Sequence, residues 1–210
     1  MKNTESMHPR VFSTLHSAGP EELESIYKNW AVQYEDDVLG MIGYIGHAIT
    51  VELLLKYLVD CQARILDAGC GTGLVGKILS RQNYRNIVGV DFSQEMLDQA
   101  IHKGVYQSLE LADLTKNFTW DDNSFDSIIC AGTFTCGHVG PNALKEMVRV
   151  TKKGGYISFT VREQEWDSAP YAKVMAELEK GGKWQRIEQS FTEYNLKEGA
   201  HCQLCLYQVV

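Results

Sequence analysis

Three glycines alternate with other residues directly after a short apolar run, at Gly69, Gly71 and Gly73. The apolar run, 64–68, is typical of a buried strand, and the residues after Gly73 follow a helical spacing. Because glycine has no Cβ, such a loop can turn sharply and let a ligand approach its backbone closely. The pattern therefore predicts a nucleotide-like cofactor at the carboxyl end of the strand, next to the N-terminus of the helix. A tight turn that binds nothing is the alternative.

Acidic residues stand at or just past the ends of three predicted strands: Asp67, Asp91 and Asp113. The glycine loop also fits the dinucleotide pattern GxGxxG, and Asp91 follows it by about 20 residues, where an acid can bind two ribose hydroxyls. Asp67 distinguishes between cofactors, because a carboxylate there opposes a pyrophosphate but suits the ammonium and sulfonium groups of S-adenosylmethionine. Asp113 is placed to accept a hydrogen bond from an adenine amino group. The three acids together favour S-adenosylmethionine over a nicotinamide dinucleotide; the alternative for each acid is a solvated cap.

Strands and helices alternate through most of the chain after residue 60. Apolar runs predict strands at 64–68, 87–90, 106–111, 127–131 and 156–161. Helical spacing predicts helices at 74–81, 93–101, 141–150 and 168–180. Two further strand-like runs, 184–191 and 202–209, have no helix between them and are expected to pair antiparallel. The pattern predicts an α/β fold with a doubly wound, mostly parallel sheet and a C-terminal hairpin.

Residues 1–60 are expected to form a tail and a helical cap within the same domain as the core, 61–210. The tail is expected to be mobile to about Ser17. Pro20 and the acids after it indicate the start of a helix, and a second helix is expected over 44–59.

Aromatic residues of this cap could close over the cofactor as a lid. Trp30, Tyr34 and Tyr44 are the candidates, since a ring over a sulfonium gives a cation–π contact of ~0.5–2 kcal/mol. Packing of two helices on the sheet is the alternative.

The composition limits the classes of partner. The chain has 210 residues, a net charge of −7 and 44% hydrophobic residues. Because an acidic surface repels phosphate, nucleic acid is not expected as a partner. No apolar run approaches the ~20 residues that span a bilayer, and the N-terminus lacks the apolar region of a signal peptide. Cys202 and Cys205 have no second close pair, so no metal site is predicted. A cytoplasmic monomer or weak dimer, without membrane attachment, is expected.

Several motifs resemble those of the class I S-adenosylmethionine-dependent methyltransferases. Asp67-Ala-Gly69-Cys-Gly71-Thr-Gly73 looks like their motif I, Gly89-Val-Asp91-Phe-Ser93 like their ribose-binding segment, and Ala112-Asp113-Leu114 like their adenine segment. The resemblance implies a seven-stranded sheet whose last strand is antiparallel, with S-adenosylmethionine as cofactor and S-adenosylhomocysteine as product. The expected cofactor-binding residues are Trp30, Tyr34, Asp67, Gly69, Cys70, Gly71, Gly73, Asp91, Phe92, Met96, Ala112, Asp113, Leu114, Ala131 and Gly132.

A narrower resemblance lies upstream. The segment 27–38, followed by Gly43-Tyr44, is similar to the opening of the Williams-Beuren syndrome chromosome-region methyltransferase-like proteins. Segments 135–139 and 160–162 also fit that group, whereas Glu35 stands where an aspartate is expected. The acceptors of that group are poorly defined, so this resemblance names no substrate.

Methyl transfer from a sulfonium is an in-line displacement, and alignment of donor and acceptor can supply ~7–11 kcal/mol. A general base is required only if the acceptor must lose a proton. His138, after the fourth predicted strand, is the candidate base or acceptor-binding group; a loop histidine that caps backbone carbonyls is the alternative. The expected substrate residues are Tyr44, Thr133, Phe134 and Arg162. Arg162 is placed either to bind an acceptor carboxylate or to form a surface ion pair.

A small-molecule acceptor is the leading prediction, because no long insertion follows the fifth strand and the cap at the N-terminus is small. A protein or RNA methyltransferase is the second hypothesis. A module that binds the cofactor without turnover is another, and a nicotinamide oxidoreductase is disfavoured by Asp67.

Overall fold

The computed structural model describes residues 7–135 and 139–210. Its strands are β1 (Ile65–Ala68), β2 (Ile87–Asp91), β3 (Ser108–Leu111), β4 (Phe125–Phe134), β5 (Thr151–Arg162), β6 (Trp184–Asn195) and β7 (Ala200–Val209). The helices are α1 (Pro9–Leu15), α2 (Pro20–Trp30), α3 (Gly46–Leu55), α4 (Leu74–Arg81), α5 (Gln94–Ile101), α6 (Ala143–Val150), α7 (Glu163–Ser168) and α8 (Tyr171–Lys180), with a π-helical segment at Asp36–Ile42. Residues 1–6 of the predicted tail lie outside the described part.

The strands form one seven-stranded sheet in the order β3-β2-β1-β4-β5-β7-β6. Strands β1 to β5 pair in parallel, and β7 is antiparallel to both β5 and β6. The predicted fold class is thus confirmed. The strand order reverses at β1 and β4, and the crevice at such a switch point is where α/β sheets bind their ligands.

Side chains alternate between two apolar layers along β1. Ile65 packs into a layer that includes Val51 and Leu54 of α3 and Leu79 of α4. Leu66 faces the opposite layer, where α6 contributes much of the buried surface. Because a strand has a period of two residues, Asp67 returns to the α4 face. The core thus fixes which way each residue at the end of β1 points.

Several element boundaries follow from local chemistry. Helix α4 covers the predicted residues, and Ser93 caps α5 as predicted, since its Oγ accepts a hydrogen bond from the Met96 amide at 3.3 Å. The predicted helix 168–180 is instead divided into α7 and α8. Pro170 precedes α8, and the residue before a proline prefers the extended conformation that Ala169 adopts.

The N-terminal region differs from the prediction. Residues 9–15 form α1 rather than a mobile tail, because Val11 is buried in a cluster with Trp30, Val38 and Ile42. Helix α2 begins at Pro20 as predicted. The π-helical segment ends at Gly43, whose φ of +70° is in the left-handed region.

No helix within residues 7–135 and 139–210 is long and apolar enough to cross a bilayer.

Candidate active site

A cavity of about 330 Å³ lies at the carboxyl ends of β1, β2, β3 and β4. The predicted cofactor residues that line it are Tyr34, Gly69, Gly71, Asp91, Phe92, Met96, Ala112, Asp113, Leu114, Ala131 and Gly132. The predicted substrate residue Thr133 lines it as well. Helix α2 adds a wall that sequence reasoning did not assign: Pro20, Glu21, Leu23, Glu24 and Tyr27. The helix start was visible in the sequence, but its placement over the cavity depends on tertiary packing.

The glycine loop has the backbone conformation that its sequence requires. Gly69, Gly71 and Gly73 have φ values of +77°, +52° and +91°, which side-chain-bearing residues rarely adopt. A Cβ on Gly69 would lie 2.1 Å from the Thr133 Oγ1 atom. A Cβ on Gly71, in contrast, would meet nothing within 4 Å among the described residues. Gly71 therefore exposes its backbone to the cavity.

Asp91 ties the loop to the next strand. Its Oδ2 accepts a hydrogen bond from the Gly71 amide at 2.8 Å, and its Oδ1 accepts one from the Ser93 amide at 3.0 Å. Burial raises the pKa of this carboxyl, while these amide hydrogen bonds act in the opposite direction. A carboxylate has about four lone-pair sites, so Asp91 can accept further hydrogen bonds from a ligand in the cavity.

Asp67 lies beneath the loop rather than on the cavity wall. It is 1% exposed, and the Tyr106 hydroxyl donates a hydrogen bond to its Oδ2 at 2.7 Å. The Gly76 amide in turn donates to the Tyr106 hydroxyl at 3.2 Å. Burial raises the pKa of Asp67 to about 7. Cys70 and Gly73 also stay outside the cavity lining; Cys70 is buried and Gly73 caps α4.

Asp113 lines the cavity just past the end of β3. It accepts hydrogen bonds from the amide and hydroxyl of Thr115 at 2.9 and 2.6 Å and pairs with Lys116. Although partial burial raises the pKa of Asp113, the contacts with Thr115 and Lys116 lower it below its ordinary value overall. The side chain is therefore ionised at neutral pH and can accept a hydrogen bond.

A second cavity, of about 60 Å³, shares Tyr27, Tyr34 and Gly132 with the first. It lies between the N-terminal cap and the ends of β5 and β6. Three residues predicted for the cofactor or the substrate line it and do not line the first cavity: Trp30, Tyr44 and Arg162. We call the first the large cavity and the second the small cavity.

Trp30 is part of the packed cap. It is 2% exposed, its Nε1 donates to Asp37 Oδ2 at 2.7 Å, and its ring centroid lies 4.8 Å from that of Tyr34. Arg10 donates to the same Asp37 oxygen at 2.8 Å. The structure therefore places Trp30 in helix packing behind Tyr34, away from the large cavity.

Phe134 is placed in the core and not with the substrate residues. It is fully buried and packs edge-on against Phe159 and Tyr171, with centroid separations of 5.7 and 5.5 Å. Strand β4 extends to residue 134 with a register shift against β5 between Cys130 and Phe134; Thr133 lines the cavity, whereas Phe134 faces the core. His138, the candidate base, lies outside the described residues, as does Cys136.

Comparison with known proteins decides the family. A family described as "Methyltransferase domain" matches residues 66–159. Human Methyltransferase-like protein 27 is 33% identical over 168 residues, which cover 77% of this chain and 67% of that protein. The chain belongs to the class I S-adenosylmethionine-dependent methyltransferases.

Two further proteins are similar to this methyltransferase. The ubiquinone/menaquinone biosynthesis C-methyltransferase of Bdellovibrio bacteriovorus is 34% identical over 152 residues, or 68% of this chain and 62% of that protein. The match thus spans less than two thirds of that relative. A TehB-like SAM-dependent methyltransferase of Corynebacterium glutamicum has the same fold, with a TM-score of 0.64 and 20% identity over 89% of this chain and 99% of that one.

The large cavity of the methyltransferase fits its cofactor. Among the described residues that line it are four acids and no lysine or arginine: Glu21, Glu24, Asp91 and Asp113. Such a wall attracts the cationic groups of S-adenosylmethionine and repels the pyrophosphate of a dinucleotide. When bound, this cofactor supplies an activated methyl group on its sulfonium, so the protein has to bind and orient the two reactants.

Replacing Gly71 with alanine tests how close the ligand comes to the loop. Ala at a positive φ costs ~1–2 kcal/mol of stability, and we expect in addition at least a tenfold loss of affinity for S-adenosylhomocysteine in calorimetry. Gly182→Ala is the matched control, because Gly182 has a φ of +62°, equally open surroundings and no place in either cavity. Equal affinity in the two variants would show that no ligand approaches Gly71.

Replacing Asp67 with asparagine should change how stability depends on pH. Asp67 keeps its proton in the native state up to about pH 7, while the unfolded chain loses it near its ordinary pKa of 3.8. Between these two pKa values the native state binds a proton that the unfolded chain has lost. The contribution of Asp67 to the free energy of unfolding therefore falls as pH rises from about 4 to about 7, and it does not change further above pH 7. In urea unfolding across this range, Asp67→Asn should gain stability relative to wild type as pH rises. A constant difference would place the Asp67 pKa near its ordinary value.

Proposed function

We propose that this methyltransferase acts on a small molecule that enters the small cavity. The observation that supports this is the junction between the two cavities, where Tyr27, Tyr34 and Gly132 belong to both linings. A donor in the large cavity and an acceptor in the small one would meet at this junction. The lining of the small cavity combines apolar and aromatic side chains with a few polar groups, which is the composition of sites that bind small molecules.

We also propose specific roles for the cavity residues. Asp91 would bind the ribose hydroxyls, the segment 112–114 would hold the adenine, and Gly69 and Gly71 would flank the methionine part. Tyr34 would lie over the reacting groups, with its hydroxyl neutral because burial raises its pKa. His138 stays the candidate general base for an acceptor that must lose a proton.

The Williams-Beuren syndrome chromosome-region methyltransferase-like group is the subfamily that we propose for the chain. The similarity to Methyltransferase-like protein 27 and the cap sequence 27–38 support this placement. A small acceptor is also in line with the Bdellovibrio relative, whose name assigns it C-methylation in quinone biosynthesis.

Transfer of a labelled methyl group identifies the acceptor class. The enzyme is incubated with methyl-labelled S-adenosylmethionine and a cell extract divided by size into small molecules, protein and RNA. We expect the label in the small-molecule fraction, and at least tenfold less transfer at subsaturating cofactor with enzyme that carries Asp91→Asn. Label confined to protein or RNA would contradict the proposal, and binding of the cofactor with no transfer to any fraction would favour a module without turnover.

A further inference from the structure

Arg162 is a buried cation at the end of β5. Its side chain lines the small cavity, the residue is 3% exposed, and its backbone pairs with that of Cys202 on β7. The Nε and Nη2 atoms are buried and donate to no residue in the described ranges. Two buried guanidinium nitrogens without partners are costly, and the burial of Arg162 does not allow the surface ion pair that was one sequence-based alternative.

The two unpartnered nitrogens share one edge of the guanidinium group. Two parallel N–H groups on one edge match the two oxygens of a carboxylate in a bidentate hydrogen-bonded pair. A second polar atom of the small cavity, Asn195 Oδ1, is also buried without a partner among the described residues, while Asn195 Nδ2 donates to Glu198 at 2.8 Å. The Nε and Nη2 edge of Arg162 thus matches a planar anion, whereas Asn195 Oδ1 can accept a hydrogen bond from a donor elsewhere on the same ligand.

The other walls of the small cavity specify the rest of the ligand. Val11, Leu15 and Ile42 supply apolar surface. Tyr44 and Tyr194 keep neutral hydroxyls because burial raises the pKa of each. Neutral phenols can donate hydrogen bonds to an acceptor without repelling an anion.

Charge sets the orientation of an acidic ligand across the junction. The lining of the large cavity carries four acids, whereas Arg162 is the cation in the described lining of the small cavity. Arg162 therefore attracts a carboxylate to the end of β5. The opposite end of the same molecule would then face Gly132, which both cavities share.

We infer that the methyl acceptor is a small carboxylic acid, held through its carboxylate by the Nε and Nη2 edge of Arg162, with its reacting atom directed toward Gly132. This inference rests on the proposed function, since it concerns the acceptor half of the same site. It adds the chemical class of the acceptor and a specificity-determining residue.

Binding of simple acids to the cofactor-loaded enzyme tests the inference. The enzyme is saturated with S-adenosylhomocysteine and titrated with benzoate and propionate, and with benzamide and propionamide as uncharged counterparts. We expect at least one acid to bind, and its amide to bind at least tenfold more weakly. Arg162→Lys should weaken the acid at least tenfold, because an ammonium cannot form the bidentate pair, and Arg162→Met should abolish its binding.

Thermal unfolding shows whether each Arg162 variant is folded before its binding of acids is compared with that of wild type. Arg162→Met removes an unpartnered buried charge, so its melting temperature should be no lower than that of wild type. If the Met variant does not fold, the tenfold weaker acid binding expected of Arg162→Lys remains as the test. All folded variants should bind S-adenosylhomocysteine within twofold of wild type, because Arg162 does not line the large cavity.

Outcomes that overturn the inference are distinct from those that overturn the proposed function. Equal binding of acids and amides, undiminished acid binding by Arg162→Met, or no acid binding by an enzyme that binds S-adenosylhomocysteine would each refute the role of Arg162. A labelled product without a carboxylate would also refute it, while leaving a small-molecule methyltransferase in place.

Discussion

Replacing Asp91 with asparagine is expected to lower the affinity for S-adenosylhomocysteine at least tenfold. The carboxylate lines the large cavity and would accept hydrogen bonds from both ribose hydroxyls, and bonds to a charged group contribute ~1.5–3 kcal/mol each. Asparagine keeps the shape but loses the charge, and because its amide nitrogen donates rather than accepts, either the Gly71 or the Ser93 amide loses its hydrogen-bond acceptor. Calorimetry measures the affinity, and thermal unfolding measures the accompanying loss of stability.

Asp126→Asn is the control for Asp91→Asn. The Asp126 carboxylate also accepts a hydrogen bond from a backbone amide, that of Arg64 at 2.8 Å, but it lines neither cavity. We expect this variant to lose stability and to keep its affinity within twofold of wild type. If Asp91→Asn lost no more affinity than the control, the ribose would be held by other groups.

Replacing Gly132 with alanine should lower kcat at least ~100-fold, because a displacement of about 1 Å between reactants can have that effect. Gly132 has a φ of +81° and lies where the two cavities meet, and a Cβ there would approach the Tyr44 hydroxyl to 2.8 Å. The added methyl group would also occupy space between donor and acceptor. Transfer of label from S-adenosylmethionine to the small-molecule fraction measures the loss.

Gly154→Ala separates backbone strain from this local effect. Gly154 has a φ of +83° and open surroundings, and it lines neither cavity. Both variants should lose the stability that alanine at a positive φ costs, Gly132→Ala should lose more because of the contact with Tyr44, and only Gly132→Ala should lose turnover. Comparable activity in the two would mean that methyl transfer does not take place at Gly132.

The parts of this site that the sequence predicts are those with short-range causes. A strand followed by alternating glycines must turn sharply, and positive φ values at Gly69 and Gly71 are the observed result. The positions of Asp91 and Asp113 follow from strand ends that share one edge of a parallel sheet. Their spacing along the chain was therefore enough to bring them to the same cavity.

The parts that the sequence does not predict depend on tertiary contacts. The predicted strand 127–131 ends before Thr133 and Phe134, whereas β4 extends to residue 134. Which of these two side chains faces the cavity therefore depends on how the end of β4 pairs with β5. Residues 9–15, predicted to be a mobile tail, form α1 because Val11 packs against residues that lie later in the chain. The free edge of Arg162 is likewise visible only when all its neighbours are known.

A crystal structure of the enzyme with S-adenosylhomocysteine tests whether the two cavities are the donor and acceptor halves of one site. We expect the ribose hydroxyls to lie within hydrogen-bonding distance of Asp91 and the sulfur to face the junction at Gly132 and Tyr34. A sulfur atom directed away from the small cavity, or a cofactor bound outside the large cavity, would contradict this arrangement.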